Sequence, residues 1–449
     1  MKKIILLTVL SFLAFTSVNA KKGKDEPKEV KYRRSSLHMV LIESENFPKK
    51  ESVLKAYTNA PFPDKYNEHS LDGKSFAPQK YPVTDDDRKA AGTDKSGAGK
   101  ILSKMGSDAT SGILDKEASD YPIIIQKYIN QNKIANQLVA KWFDRQPDGT
   151  FDTKLISERG FYNASEMEAN VAKGAEKGRS SLGDAGEELI KNTFVIFTKL
   201  NFVSNEKVAA VVRDAGKIAA TKNIKIPALL DKANKGIDIA YEKAKEGYSV
   251  WTTAYLYRLK WNDSISTVFY NDMWIDKNNI DAKKKLAFDN SNIFELELIG
   301  DNKVSNLVLF SLKEKRTEEQ IVEMATVRNI DAVYAKLQKK YEVFRPKVPL
   351  FGNDPITSKI GMKEGLEGGE KFEILEQTIN QETGRTEYKR KGTIKVNSDL
   401  IWDNRYNAGE EQPIADASKD GVQKPVIDKT TFKGKGKKLY PGMLIRQID

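Results

Sequence analysis

The sequence predicts an α+β protein, with a mixed helix and antiparallel-sheet core followed by a small β-barrel-like domain. Three observations carry that prediction. Val250–Trp261 alternates with the period of a strand, placing Trp251, Thr253, Tyr255, Tyr257, Leu259 and Trp261 on one face. On both sides of it lie stretches whose apolar residues recur three, four or seven apart, the period of amphipathic helices. Beyond about residue 355, Gly361, Gly365, Gly368, Gly369, Gly384 and Gly392 punctuate short alternating runs, as in small barrels and sandwiches. A length of 449 residues suits two or three domains. The expected division is a signal peptide at 1–20, an N-terminal segment with a long polar linker at 21–120, the core at 121–350 and the small β domain at 351–449.

The elements follow in order. Leu37–Ile42 is an apolar run of strand formers, and Glu51–Tyr57 suits a helical turn or two. Residues 84–112 are rich in Asp, Gly, Lys, Ser and Thr and suit a linker. From Tyr121, the residues Ile124, Tyr128, Leu138, Val139 and Trp142 mark one amphipathic helix or two. Helices are expected at 166–177 and 184–191. Thr193–Val203 is expected as a strand with Phe194, Ile196, Leu200 and Phe202 on one face. Helices follow at 206–222 and 227–246, the second opening on Pro227, where a missing N–H costs nothing. Ser264–Trp274 suits a capped helix. A hairpin is expected from Ile293–Ile299 through the turn Gly300-Asp301-Asn302 to Val304–Leu312. Thr317 and Gln320 have capping-box spacing and open a long helix. Lys371–Glu376, Thr386–Lys391, Thr393–Val396 and a last run before Ile448 are expected as strands. The insert 404–425 is polar and loop-like.

Composition excludes several chemistries. There is no cysteine, so disulfides, thiolate metal sites and a cysteine nucleophile are out. His38 and His69 are the only histidines, which rules out a His-rich metal centre. No cofactor is expected. Lys2 and Lys3, the apolar run Ile4–Phe15 and the small residues of Val18-Asn19-Ala20 form the pattern of a cleavable secretory signal. Cleavage after Ala20 would take the formal charge from +11 to +9. On an exported chain, such a charge points to envelope proteins, acidic glycans or a lipid surface as partners, and not to nucleic acid. The densest basic runs, Lys283–Lys285, Lys389–Lys391 and Lys433–Lys438, are expected to be solvated surface. No further run approaches the length of a membrane-spanning helix.

Two resemblances add to this. The run Gly365-Leu366, Gly368-Gly369, Phe372, Ile374 resembles the strand-opening signature of SH3-like small barrels in bacterial envelope proteins, such as the C-terminal domain of flagellar T-ring proteins. The segments Trp142-Phe143-Asp144, Leu182–Ile190 and Tyr255–Trp261 are similar to those of uncharacterised secreted proteins of Bacteroidetes-type Gram-negative bacteria. That resemblance implies export and architecture, and it carries no activity with it.

Candidate chemistry is sparse. Gly92 and Gly97 have phosphate-loop spacing, but Ala98 stands where a lysine is required. Asp144, Asp148 and Asp152, with Gly149 between them, approach a calcium loop and are the first place to look for a metal. Against this, Gln146 and Leu155 replace expected oxygen ligands, and a plain turn is the commoner reading. The aromatic face Trp251, Tyr255, Tyr257 and Trp261, with Trp274, could stack sugars, with Asp263, Asp272, Asp276 and Glu295 as nearby acids. More often such a face is the core of a sheet covered by helices. The leading expectation is therefore an exported structural or interaction protein without catalysis, in the periplasm or at the outer-membrane surface. Glycan binding or glycoside hydrolysis is the alternative.

Overall fold

A computed structural model describes residues 32–91, 120–162, 186–245, 248–278, 280–308, 317–380, 386–406, 408, 427–436 and 438–449. The expected signal segment, the Gly92/Gly97 stretch, the helix at 166–177 and most of the 404–425 insert lie outside those residues.

The core is one mixed sheet clothed on both faces by helices. Its strands are β1 (Ser36–Ile42), β2 (Asn67–Glu68), β3 (Ser75–Phe76), β4 (Thr193–Ser204), β5 (Tyr248–Leu259) and β6 (Leu296–Val308), in the order β2-β1-β4-β5-β6, with β3 also on β1. β1 runs parallel to β4, and β4, β5 and β6 are antiparallel neighbours. β1, from the N-terminal segment, is buried along its whole length and lies between β2 and β4 in the core sheet.

Period-2 alternation sorts the strand residues between two cores. Val40, Ile42, Val195, Phe197, Tyr255, Tyr257 and Leu259 face the helices Tyr121–Gln131 and Ile134–Trp142. Leu37, Leu41, Phe194, Ile196, Leu200, Val250 and Leu256 face the helices Lys50–Asn59 and Glu318–Lys340. Phe194, Ile196, Leu200 and Phe202 share a face, as their spacing predicts. The long helix opens on the capping box formed by Thr317 and Gln320. The two helices after Tyr121 are separated at Lys133, whose φ is 50°.

The expected hairpin at Gly300 is instead one continuous strand. β6 pairs with β5 throughout, and the extra residue is absorbed as a bulge opposite Leu256/Tyr257. Gly300 sits there at φ 150°, against the Tyr341 ring, so it serves as a bulge glycine and not a turn glycine.

The last hundred residues close into a six-stranded antiparallel barrel. Its strands are β7 (Val348–Asn353), β8 (Ile356–Ser358), β9 (Lys371–Ile379), β10 (Thr386–Val396), β11 (Thr430–Gly436) and β12 (Leu444–Ile448), in the order β10-β11-β8-β7-β12-β9. Phe372, Ile374, Ile394, Phe432 and Ile445 fill it. The two expected strands of 386–396 are one, bulged between Arg390 and Gly392. The barrel sits on the long helix, where Lys363 lies 3.5 Å from Asp331 and Arg328 donates to the Tyr406 carbonyl at 3.3 Å. Among the described residues no helix is long and apolar enough to cross a membrane.

Between β4 and β5, the helices Asn205–Asn223 and Pro227–Ala244 form a hairpin that packs on itself. Ile237 lies over Gly216, Lys217 pairs with Asp238 at 2.6 Å, and Arg213 lies over the Tyr241 ring at 4.3 Å.

Candidate functional site: a cationic pocket between sheet and barrel

The structure gathers most of the aromatic residues that the sequence singled out, but into the first core, with Trp274 packed against it. Tyr255, Tyr257 and Trp261 are buried in the first core, under the helices that follow Tyr121. The Trp261 Nε1–H donates to Glu187 at 2.6 Å. Trp274 is half-buried and stacked on Phe151 at 5.5 Å, while Trp251 is half-buried on β5, paired in register with Asn201 and Ser305. These five aromatics therefore form no open platform for a sugar. Asp263, Asp272, Asp276 and Glu295 are exposed; Asp276 caps Asn278 N–H at 2.8 Å and Glu295 pairs with Lys260 at 2.8 Å.

At the calcium-loop candidate, the Asp148 and Asp152 carboxylates make local hydrogen bonds. The Asp148 Oδ1 accepts from both the N–H and the hydroxyl of Thr150, at 2.9 and 2.8 Å. The Asp152 Oδ1 accepts from the Lys154 N–H at 2.7 Å, and its other oxygen faces Lys277 at 3.6 Å. Asp144 adopts φ 43° at the end of its helix. Each carboxylate serves its own local turn, and among the described residues no three acidic or histidine side chains converge as a metal shell.

Both histidines are structural. His69 stacks on Trp142 at 4.5 Å; its Nε2 faces the Leu138 carbonyl at 3.0 Å and its Nδ1 faces Arg159 at 3.0 Å. That arrangement requires Nε2–H to donate and Nδ1 to accept. His38 accepts from the Leu71 N–H at 3.3 Å. Burial lowers the pKa of both, His38 to about 3, and the positive charges of Lys141 and, at His69, Arg159 push the same way.

The site that the fold does build was not among the sequence candidates. At one end of β4 and β5, the connection from the long helix to the barrel crosses the sheet and encloses a cavity of about 150 Å³. Arg34, Lys65, Arg258, Arg345, Lys347 and Arg446 line it, together with Ser35, Asn192 and a single acid, Glu342. The six cations arrive from five segments, Arg345 and Lys347 sharing the connection from the long helix to the barrel. Arg34 and Ser35 lead into β1. Lys65 is placed by its neighbour Tyr66, whose ring stacks on Phe344 at 4.8 Å and whose hydroxyl donates to the Phe344 carbonyl at 2.6 Å. Arg258, on β5, donates to the Lys191 carbonyl at 2.8 Å and to Asn192 at 2.9 Å. Arg345 satisfies the last carbonyls of the long helix, donating to Gln338 O at 3.2 Å and Lys339 O at 2.7 Å. Arg446, on β12, pairs with Glu373 at 2.7 Å and Glu342 at 3.1 Å.

The electrostatics favour an anion. Glu188 is shared loosely, 3.8 Å from Arg34 and 3.5 Å from Lys347, and Glu188, Glu373, Asp64 and Asp449 pair with pocket cations without lining the cavity. Burial holds the Lys347 ammonium below its ordinary pKa; Glu188 partly offsets this, while Arg446 and Arg34 add to it. Burial lowers Arg258 likewise. A pocket that disfavours its own positive charges is relieved when an anion enters. The lining supplies charge and fixed N–H donors, the equipment for gripping a carboxylate or phosphate.

No protein-family model and no curated protein matches the chain.

Proposed function

We propose that this chain is an exported, envelope-associated interaction protein that holds an acidic partner in the cationic pocket. The observation that carries this reading is the lining of the cavity, six cations with one acid, assembled at the junction of sheet and barrel. The cations come from five segments far apart in sequence, so the pocket depends on the whole fold. Export rests on the Lys2–Ala20 pattern, and the net charge of the chain has the sign an acidic envelope partner requires.

The glycan alternative has lost its aromatic platform, because Tyr255, Tyr257 and Trp261 are core residues. An acidic sugar carries the same carboxylate as an acidic peptide, so that alternative now rests on the same pocket. Passing an envelope extract over immobilised wild type and over the double variant Arg258→Gln/Lys347→Gln tests the proposal. Wild type should retain an acidic component that the variant releases. Identical retention by both proteins would contradict it.

A further inference from the structure

The hairpin Asn205–Ala244 leaves the sheet at the end opposite the pocket. β4 runs from Thr193, beside Asn192 of the pocket, to Ser204, where the hairpin begins. Twelve residues of strand separate the two by about 35 Å. Beyond Ala209, no described residue of the hairpin is buried. Val211, Val212, Ile218, Ile226, Leu229 and Ile239 are all exposed, a concentration of apolar side chains found nowhere else in the described molecule. Ordinary soluble helices put such residues against a core.

Ile226 is 58% exposed and Leu229 52% exposed, at the turn between the helices, next to Pro227. Lys222, Lys225, Lys232 and Lys235 surround them, all exposed, with Asp231 as the one acid in that stretch. Among the described residues, the ion pairs of the hairpin involve Arg213, Lys217 and Lys245; none of these four lysines has a carboxylate partner. We infer that the tip of this hairpin docks on an anionic membrane surface, with Ile226 and Leu229 entering the head-group region and the four lysines meeting lipid phosphates. Apolar side chains ringed by unpaired lysines at an exposed helical tip match both requirements of interfacial binding. A second copy of the chain is the poorer occupant, because two such tips carry the same charge. This inference goes beyond the pocket reading and does not depend on it.

Sedimentation of the full-length protein with vesicles tests it, comparing phosphatidylcholine alone with equimolar phosphatidylcholine and phosphatidylglycerol. Binding to the anionic vesicles should be about tenfold tighter or more, and should weaken with salt. Lys222→Glu/Lys225→Glu and, separately, Ile226→Asp/Leu229→Asp should each lose about tenfold or more, while Lys283→Glu, an exposed lysine outside both the hairpin and the pocket, binds as wild type. All four positions are solvent-exposed, and circular dichroism checks that each variant keeps the fold. Equal binding to both vesicle types, or unchanged binding by both tip variants, overturns the inference. So does a dimer in sedimentation equilibrium that Ile226→Asp dissociates, which would make a second copy the occupant.

Discussion

His38 shows how much a single residue can say about the molecule. It sits in β1, between Leu37 and Met39 in an apolar run, so its burial was legible from the sequence. Its role was not, because the Leu71 N–H that it accepts from comes from a loop 33 residues away. With its pKa lowered to about 3, the folded state binds fewer protons than the unfolded state between that value and the ordinary 6.5. The stability it contributes is whole above about pH 6.5 and is lost as pH falls toward 3. At pH 4 the loss is about 3 kcal/mol from this residue alone. Thermal melts should show His38→Gln losing much less stability than wild type between pH 7 and pH 4. Asp331 has the opposite sign. Burial raises its pKa to about 6, against the partial relief of Lys363, so its folded state holds an extra proton between the ordinary carboxylate range and pH 6. Stability from this group is present at low pH and lost as pH rises through 6. Asp331→Asn should therefore raise the melting temperature at pH 7 and leave it nearly unchanged at pH 4.

Among the elements, the strands with strong alternation were the most legible. β4 and β5 were readable because each is apolar on both faces in strict register, as a sheet covered on two sides requires. The same double coverage explains why an aromatic face resembled a binding platform: sequence shows which residues share a face and does not show what lies over it. β6 was misread because a glycine between two apolar runs signals a turn locally, whereas pairing along the whole of β5 decided for a bulge. Gly300→Ala should accordingly cost about 2 kcal/mol or more in denaturant melts, since it meets both the positive φ and the Tyr341 ring. The hairpin helices were legible too, but their isolation was not. Ser204 and Tyr248 lie opposite one another in the β4–β5 ladder. Replacing residues 205–247 with an Asn-Gly turn should therefore leave the sheet folded, with a melting temperature close to wild type, and abolish vesicle binding.

At the scale of the whole molecule, the two surfaces stand at opposite ends of the central strands. An arm that rests on lipid would hold the cationic pocket, with the barrel that helps to form it, away from the membrane and facing a partner. The pocket was illegible in the sequence for a definite reason. Arg34, Lys65, Arg258, Arg345, Lys347 and Arg446 are scattered over more than 400 positions, and none belongs to the dense basic runs. Only the parallel pairing of β1 with β4 and the closure of the barrel onto the long helix bring them together. The central claim is that this pocket grips an anion, and calorimetric titration with an oligoglutamate peptide tests it most directly. Wild type should bind at low ionic strength, more weakly as salt rises and as pH rises far enough to deprotonate Lys347, and Arg258→Gln/Lys347→Gln should bind about tenfold more weakly or worse. Equal affinity in both proteins, or affinity indifferent to salt, would contradict the account.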